Sequence, residues 1–145
     1  MVSSLSASGV LKKYLTTSNV YWNRFDFSEV REMFFSDSEI DKCTVRIGDL
    51  LVCEGGDIGR AAIWSFENEI CIQNHIHRLR AYYPVSIEFY YYVFELYKGI
   101  GHIGGKGIGI QGLSSGAIHN LVFPLPPLQE QKRIVSKIRE MNEFL

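Results

Sequence analysis

The run Gly48-Asp49-Leu50-Leu51-Val52-Cys53-Glu54-Gly55-Gly56-Asp57-Ile58-Gly59-Arg60-Ala61-Ala62-Ile63-Trp64 decides how the chain folds. Gly48-Asp49 is a turn signal. The four apolar residues after it read as a buried strand. Glu54 to Arg60 is a glycine-rich turn, and Ala61 to Trp64 reads as the strand returning beside the first. The unit is a hairpin.

Upstream, Gly9 to Leu15 reads as a strand that enters a polar, aromatic loop, Thr16 to Asn23. Ser28 to Met33 is expected to form a short turn of helix with Ser28 as its N-cap. Thr44 to Ile47 is short and branched. Downstream, Ile70 to Leu79 alternates in part, which predicts a strand with an irregularity at Asn74. Ile87, Tyr90, Tyr91, Phe94 and Tyr97 recur at helical spacing, so Ser86 to Lys98 is an amphipathic helix with Gly99 as C-cap. Half of the residues from Gly99 to Gly112 are glycine, and no regular element is expected there. Ser114 or Ser115 can cap a short helix through Ile118. Leu121 to Leu125 is extended, because residues before proline avoid the helical region.

Pro126-Pro127 opens the last helix. Ile134, Ile138, Met141 and Leu145 follow at spacings of four, three and four, and Leu128 begins the same apolar set. That pattern is a coiled-coil seam. A helix this short is marginal alone. It needs a partner helix, or it packs back on its own domain. The chain therefore divides into a domain at 1–123 and a Pro-Pro linker with a helix at 124–145.

At 145 residues, with 46% hydrophobic and 21% charged side chains, one domain with a real core is expected. A net charge of −1 excludes a polycation held to nucleic acid by bulk charge. The average hides a gradient. Residues 26–69 hold 11 acids against 4 bases, whereas Leu96 to Gln129 holds no acid at all. A surface without carboxylates can approach phosphate without repulsion. The plainer reading is a glycine-rich segment with no use for charge. No apolar run reaches the roughly 18 residues of a membrane span. The N-terminus lacks the apolar segment of a signal peptide. Three cysteines without a CxxC pair argue against a disulfide framework and a zinc finger, and a reducing cytoplasm is the expected setting.

Several motifs fail on their context. Gly99 to Gly104 and Gly107 to Gly112 both fit GxGxxG. A dinucleotide site needs a strand before, a helix after and an acid about twenty residues on. Gly112-Leu113-Ser114-Ser115-Gly116 fits the serine elbow, but no acid and histidine follow in the required order. Asp49 and Glu54 lack the lysine that would complete a metal-dependent nuclease pattern. His75 and His77 share a strand face but have no third ligand at matching spacing. A hydrolase or nuclease using His75, His77 or Ser114 is therefore the weaker alternative, with a pure oligomerisation module as another. No metal site is expected.

What remains is a set of polar loops. Thr17, Ser18 and Asn19 lie in the first, with Tyr21 and Trp22 placed to flank a groove or to anchor the loop on the core. Gln73, Asn74 and His75 form another. Lys106, Gln111, Ser114 and Ser115 belong to one further downstream, and Arg60 closes the glycine-rich turn. Asn and Gln can read adenine through two hydrogen bonds, Ser and Thr bond to bases or phosphates, and Lys and Arg neutralise phosphate. These residue types therefore make Gln111, Asn74, Thr17, Ser18 and Asn19 base-edge candidates, and Lys106 and Arg60 phosphate contacts.

The tail Phe123-Pro124-Leu125-Pro126-Pro127-Leu128-Gln129-Glu130-Gln131-Lys132-Arg133-Ile134-Val135 resembles the signature of type I restriction-modification specificity subunits. Tyr14 to Val20, Gly48 to Leu51, Gly55 to Ala62, Gln73-Asn74 and Gly109 to Ser114 agree with that family in order and spacing. The resemblance covers about residues 11–143. It implies a mixed α/β (α+β) target recognition domain, a twisted sheet with DNA-facing loops followed by a coiled-coil-type helix. It implies a non-catalytic reader of one half of a split site on double-stranded DNA. Its partners would be methyltransferase subunits, which bind S-adenosylmethionine and methylate adenine, and a motor-nuclease subunit that uses ATP and Mg. This chain itself would bind no cofactor. The usual opening strand and the second recognition domain of the family are missing, so the chain looks like a half-subunit or a fragment. A half-subunit can pair with a copy of itself through the helix seam.

Overall fold

The computed structural model describes residues 9–104 and 112–145. Nine strands and four helices follow in order: β1 (Val10–Leu15), β2 (Val20–Tyr21), β3 (Arg24–Phe25), β4 (Arg31–Phe35), α1 (Asp37–Cys43), β5 (Thr44–Val45), β6 (Leu50–Cys53), β7 (Ala61–Ile63), β8 (Ile70–Ile72), β9 (Ile76–Leu79), α2 (Ile87–Gly99), α3 (Ser115–His119) and α4 (Leu128–Asn142). The architecture is mixed α/β, with twisted sheets and a C-terminal helix.

The hairpin read from the sequence is the centre of the molecule. β6 pairs antiparallel with β7 on one side and β9 on the other. All four of its residues are buried. Leu51 and Cys53 face a core shared with Leu15, Val45 and Ile72 of a second sheet, ordered β4-β1-β8-β5. Leu50 and Val52 face the other way, onto Tyr91 and Phe94 of α2 with Ile103, Leu113 and Ile118. The period of two along a strand thus divides β6 between two cores. The β6–β7 turn closes at Gly59, whose φ is +88° and where a Cβ would stand 2.9 Å from Ile103 Cγ2. Only glycine fits there without displacement.

The stretch expected to start a helix at Ser28 is instead a turn followed by β4. Asp26 Oδ1 accepts the Ser28 N–H at 2.9 Å, and β4 pairs with β1 in the register Leu11↔Phe34. The tertiary pairing overrides the local cap signal. The helix lies further on, at α1, where Ser36 and Glu39 form a reciprocal capping box. The alternating segment 70–79 is likewise two strands in different sheets. β8 joins β1 and β5, β9 joins β6, and the chain crosses between sheets at Gln73-Asn74-His75.

α2 begins at the Ser86 cap, as expected, but runs through Gly99 to a C-cap at Ile100, and the left-handed residue is Gly101. The Tyr90 hydroxyl donates to the Pro124 carbonyl and that of Tyr97 to the Val122 carbonyl, which holds the extended segment before α4 along the helix.

α4 packs back on its own domain. Val135 joins Phe89 and Val93 of α2 with Ile134 at the margin, and Gln131 is fully buried. The expected seam does not run as one strip. Leu128 and Ile138 are half-buried, while Met141 and Leu145 are 59% and 101% exposed. The burial of Gln131 and Val135 rotates the inward stripe away from the positions that apolarity alone selects. Among the described residues no helix is long and apolar enough to cross a membrane.

Candidate nucleic-acid interface

Three of the candidate loops leave neighbouring strand ends at one end of the molecule. The first leaves β1 as a 3-10 turn, Thr17–Asn19. Its organiser is Asn19, which is 3% exposed. Asn19 Oδ1 accepts the Thr16 N–H at 2.8 Å, and Nδ2 donates to the carbonyls of Asp26 and Glu29 at 2.8 Å each. A short polar side chain can satisfy backbone groups on several sides, and here it does so from inside. Asn19, a base-edge candidate by residue type, has its amide wholly engaged within the protein. Ser18 next to it is exposed, and its hydroxyl meets that of Thr16 at 2.7 Å.

The second loop is the β6–β7 turn. Gly56 (φ +67°) lies against Thr17, with Thr17 Oγ1 at 3.6 Å from where a Cβ would stand. Arg60 fastens the two loops together. Its Nη2 donates to the Thr17 carbonyl at 2.8 Å, and its guanidinium lies 4.6 Å from the Tyr21 ring centre. Arg24 is 4.7 Å from the same ring, so Tyr21 interacts with two guanidinium groups. The Arg60 side chain is only 16% exposed. It is an internal clamp rather than the outward phosphate contact that its residue type predicts. Trp22 likewise anchors on the core, edge-on to Tyr91 at 6.1 Å.

The third loop is the crossing between β8 and β9. The Gln73 N–H donates to the Leu15 carbonyl at 3.1 Å, and the Glu54 N–H to the His75 carbonyl at 2.8 Å. Gln73 is half-buried, whereas Asn74 and His75 are exposed. His77 on β9 turns its Nε2 to the Leu113 carbonyl at 2.5 Å, with Glu54 Oε2 at 3.6 Å. That contact brings the residues before α3 to the same end. Ser114 and Ser115 are exposed there, and the Ser114 hydroxyl accepts the Ala117 N–H as the cap of α3. Lys106 and Gln111 lie outside the described residues.

Charge at this end is largely compensated. Lys98 pairs with Asp57 at 3.0 Å. The outward tips are the hydroxyls of Ser18 and Ser115, the Asn74 amide and the His75 ring. Such groups can sort bases by hydrogen bonding but attract phosphate weakly. Burial pushes the Cys53 thiol beneath the turn up to about 11, partly offset by Arg60.

Of the groups that the catalytic alternatives would use, His75 is exposed, while the others are engaged in structure. Asp49, 2% exposed, receives a bidentate bond from Arg80 at 2.6 and 2.8 Å and also accepts the Arg46 N–H. His77 holds Leu113, and Ser114 caps a helix. Among the described residues no three His, Cys, Asp or Glu side chains are grouped to hold a metal ion.

Two structural residues escaped the sequence reading: Gln131 and Arg80 make polar contacts that no local pattern marks. The Gly48-Asp49 turn signal points at the partner of Arg80 without showing the pair.

The model of the type I restriction modification DNA specificity domain matches residues 15–143. Two solved structures share the fold. One is the HsdS subunit from Thermoanaerobacter tengcongensis, at 17% identity and a TM-score of 0.67, aligned over 94% of this chain and 30% of that one. The other comes from work on complex assembly and conformational transition of the type I R-M system, also at 17% identity and a TM-score of 0.67, aligned over 91% of this chain and 31% of that one. This chain thus spans about 30% of the length of those chains. No curated protein matches it in sequence. With the family match covering nearly the whole chain, this polypeptide belongs to the type I restriction modification DNA specificity domain family.

Proposed function

We propose that this chain reads one half of a split target on double-stranded DNA, without catalysing a reaction, for a separate adenine methyltransferase. The observation that carries this is the convergence of the 16–19, 54–60 and 73–75 loops at one end of the two sheets, joined by Arg60 to the Thr17 carbonyl and by the Glu54 N–H to the His75 carbonyl. Uncharged tips on a braced frame suit base readout. The near-neutral charge calls for a partner that supplies much of the phosphate contact. Ser18, Asn74, Gln73, His75, Ser114, Ser115, Thr17 and Gln111 are the base-edge set, and Lys106 is the phosphate contact. S-adenosylmethionine, and the ATP and Mg used by a motor-nuclease subunit, would belong to partner chains.

The protein partners meet the chain at α4. An apolar groove of about 520 Å³ lies between α2 and α4, lined by Phe89, Val93, Leu96, Ile100, Ile134 and Ile138. Further along the tail Met141, Phe144 and Leu145 are exposed as well. Exposed apolar area of this kind marks a docking surface. A methyltransferase subunit docks here, and a second copy of this chain can use the same face. Light scattering separates the two: a monomer at high micromolar concentration excludes self-pairing.

The test of the main reading is co-expression with a methyltransferase subunit, followed by mapping of methylated adenines. Methylation confined to one sequence context supports it. Methylation unchanged when this chain is left out refutes it.

A further inference from the structure

We propose that His77 is a positioning residue for base readout, fixing the residues between Gly112 and α3 against the other two loops. This rests on the DNA-reading function above. His77 stands on β9 opposite Val52, and its ring is nearly covered, at 11% exposed. Its Nε2 faces two acceptors, the Leu113 carbonyl at 2.5 Å and Glu54 Oε2 at 3.6 Å. Neither can donate to it, so Nε2 carries the proton and donates it to Leu113. The Leu113 side chain is itself buried in the core with Leu50 and Val52. Leu113 is therefore held twice, by packing and through its carbonyl, while Gly112 and Ser114 on either side are exposed.

The consequence is geometric. Glu54 opens the β6–β7 turn and donates its own N–H to the His75 carbonyl. His77 follows His75 on the same strand. The imidazole thus ties the approach to α3 to β9, the strand that follows the 73–75 crossing, and that crossing is bonded through His75 to Glu54 at the start of the 54–60 turn. A side chain in that place sets where Ser114 and Ser115 stand relative to Asn74 and touches no base itself. Small misplacements of recognition groups affect the base pairs they face and leave the rest alone.

The experiment compares wild type, His77→Gln, His77→Asn and His77→Leu in the full chain bound to its methyltransferase subunit. Glutamine places an amide N–H where Nε2 lies, whereas asparagine keeps the polarity but falls short of Leu113. The probe is a pool of duplex DNA with a randomised segment, read by sequencing after selection, with amide exchange of residues 112–115 measured in parallel. The proposal expects His77→Gln to keep the wild-type motif. It expects His77→Asn and His77→Leu to lose on the order of tenfold in discrimination at a few adjacent base pairs, and to keep it at the others. In both, the 112–115 amides should exchange on the order of tenfold faster, as opening of that segment becomes local. An unchanged motif, or a uniform loss at every position, overturns the proposal. If His77→Leu does not fold, His77→Asn against His77→Gln decides. A wild type that selects no motif refutes the DNA reading instead, and unchanged exchange in His77→Asn then refutes the positioning role by itself.

Discussion

The Gln131 side chain is fixed to the start of α2: its Oε1 accepts the Ser86 N–H at 2.8 Å, while its Nε2 donates to the Pro126 carbonyl at 2.8 Å. One buried amide therefore satisfies a free N–H at the end of one helix and a carbonyl in the proline turn that opens another. The tail helix is registered on the domain by this contact as much as by Val135.

Gln131→Leu should leave both backbone groups without partners. The expected loss is about 1–3 kcal/mol for a buried unsatisfied group. Gln131→Glu is more informative. An ionised carboxylate can accept from Ser86 but repels the Pro126 carbonyl, whereas the protonated acid can donate to it. The folded-state pKa of that Glu is then raised. Its contribution is present below the ordinary Glu value and lost as pH rises through the folded one. Urea melts should show Gln131→Glu closer to wild type near pH 4 than at pH 7. A gap that is equal at both pH values would contradict the donor role.

Asn19 offers a similar test inside the first loop. Asn19→Asp replaces a donor that serves two carbonyls with an oxygen that repels both. It should destabilise the protein more than Asn19→Ala, which itself should lose about 2–4 kcal/mol from several unmade bonds. DNA binding should weaken alike for all sequences, because the loop itself fails to form. A change of preferred base without loss of stability would instead make Asn19 a reading residue.

These two residues show where sequence reading stops. The β6–β7 hairpin, α2 and the short helix at Ser114 were legible, since turn glycines, caps and helical period are local signals. The strand at Arg31–Phe35 was not, because its conformation comes from pairing with β1, about twenty residues away in sequence. The sheet crossing at Gln73-Asn74-His75 resembled one irregular strand, because the alternation continues on both sides of it. Residue type marked Asn19 and Arg60 as polar and therefore as contacts for a ligand. Their actual partners, the carbonyls of Asp26, Glu29 and Thr17, are backbone groups that leave no trace in side-chain pattern.

Cys53 predicts an alkaline weakness. Its thiol ordinarily titrates near 9 and is pushed up to about 11 in the fold, chiefly by burial. Below pH 9 both states hold the proton. Between 9 and 11 the unfolded chain releases it first, so stability falls as pH rises through that window, by on the order of 2 kcal/mol. Cys53→Ala should flatten the slope of stability against pH between 9 and 10, whatever it does to the absolute value. The native thiol should also react slowly with alkylating reagents at pH 8, because so little of it is thiolate. Rapid alkylation without unfolding would show the burial to be transient.

Arg60 separates an outward contact from an inward one. A side chain that neutralises phosphate contributes about 0.9 to the slope of log affinity against log salt. Arg60 instead bonds to the Thr17 carbonyl and lies by Tyr21, at 16% exposure. Arg60→Met should therefore weaken DNA binding by roughly tenfold, equivalent to the loss of one charge-assisted hydrogen bond, with the salt slope unchanged. Arg60→Lys should restore little, since an ammonium lacks the planar group that lies by Tyr21 while bonding to Thr17. Lys106→Gln is the control, with the slope expected to fall by about one. Binding measured from 50 to 200 mM salt for the three variants decides the matter: a reduced slope for Arg60→Met would turn this residue outward again and loosen the link between the first two loops.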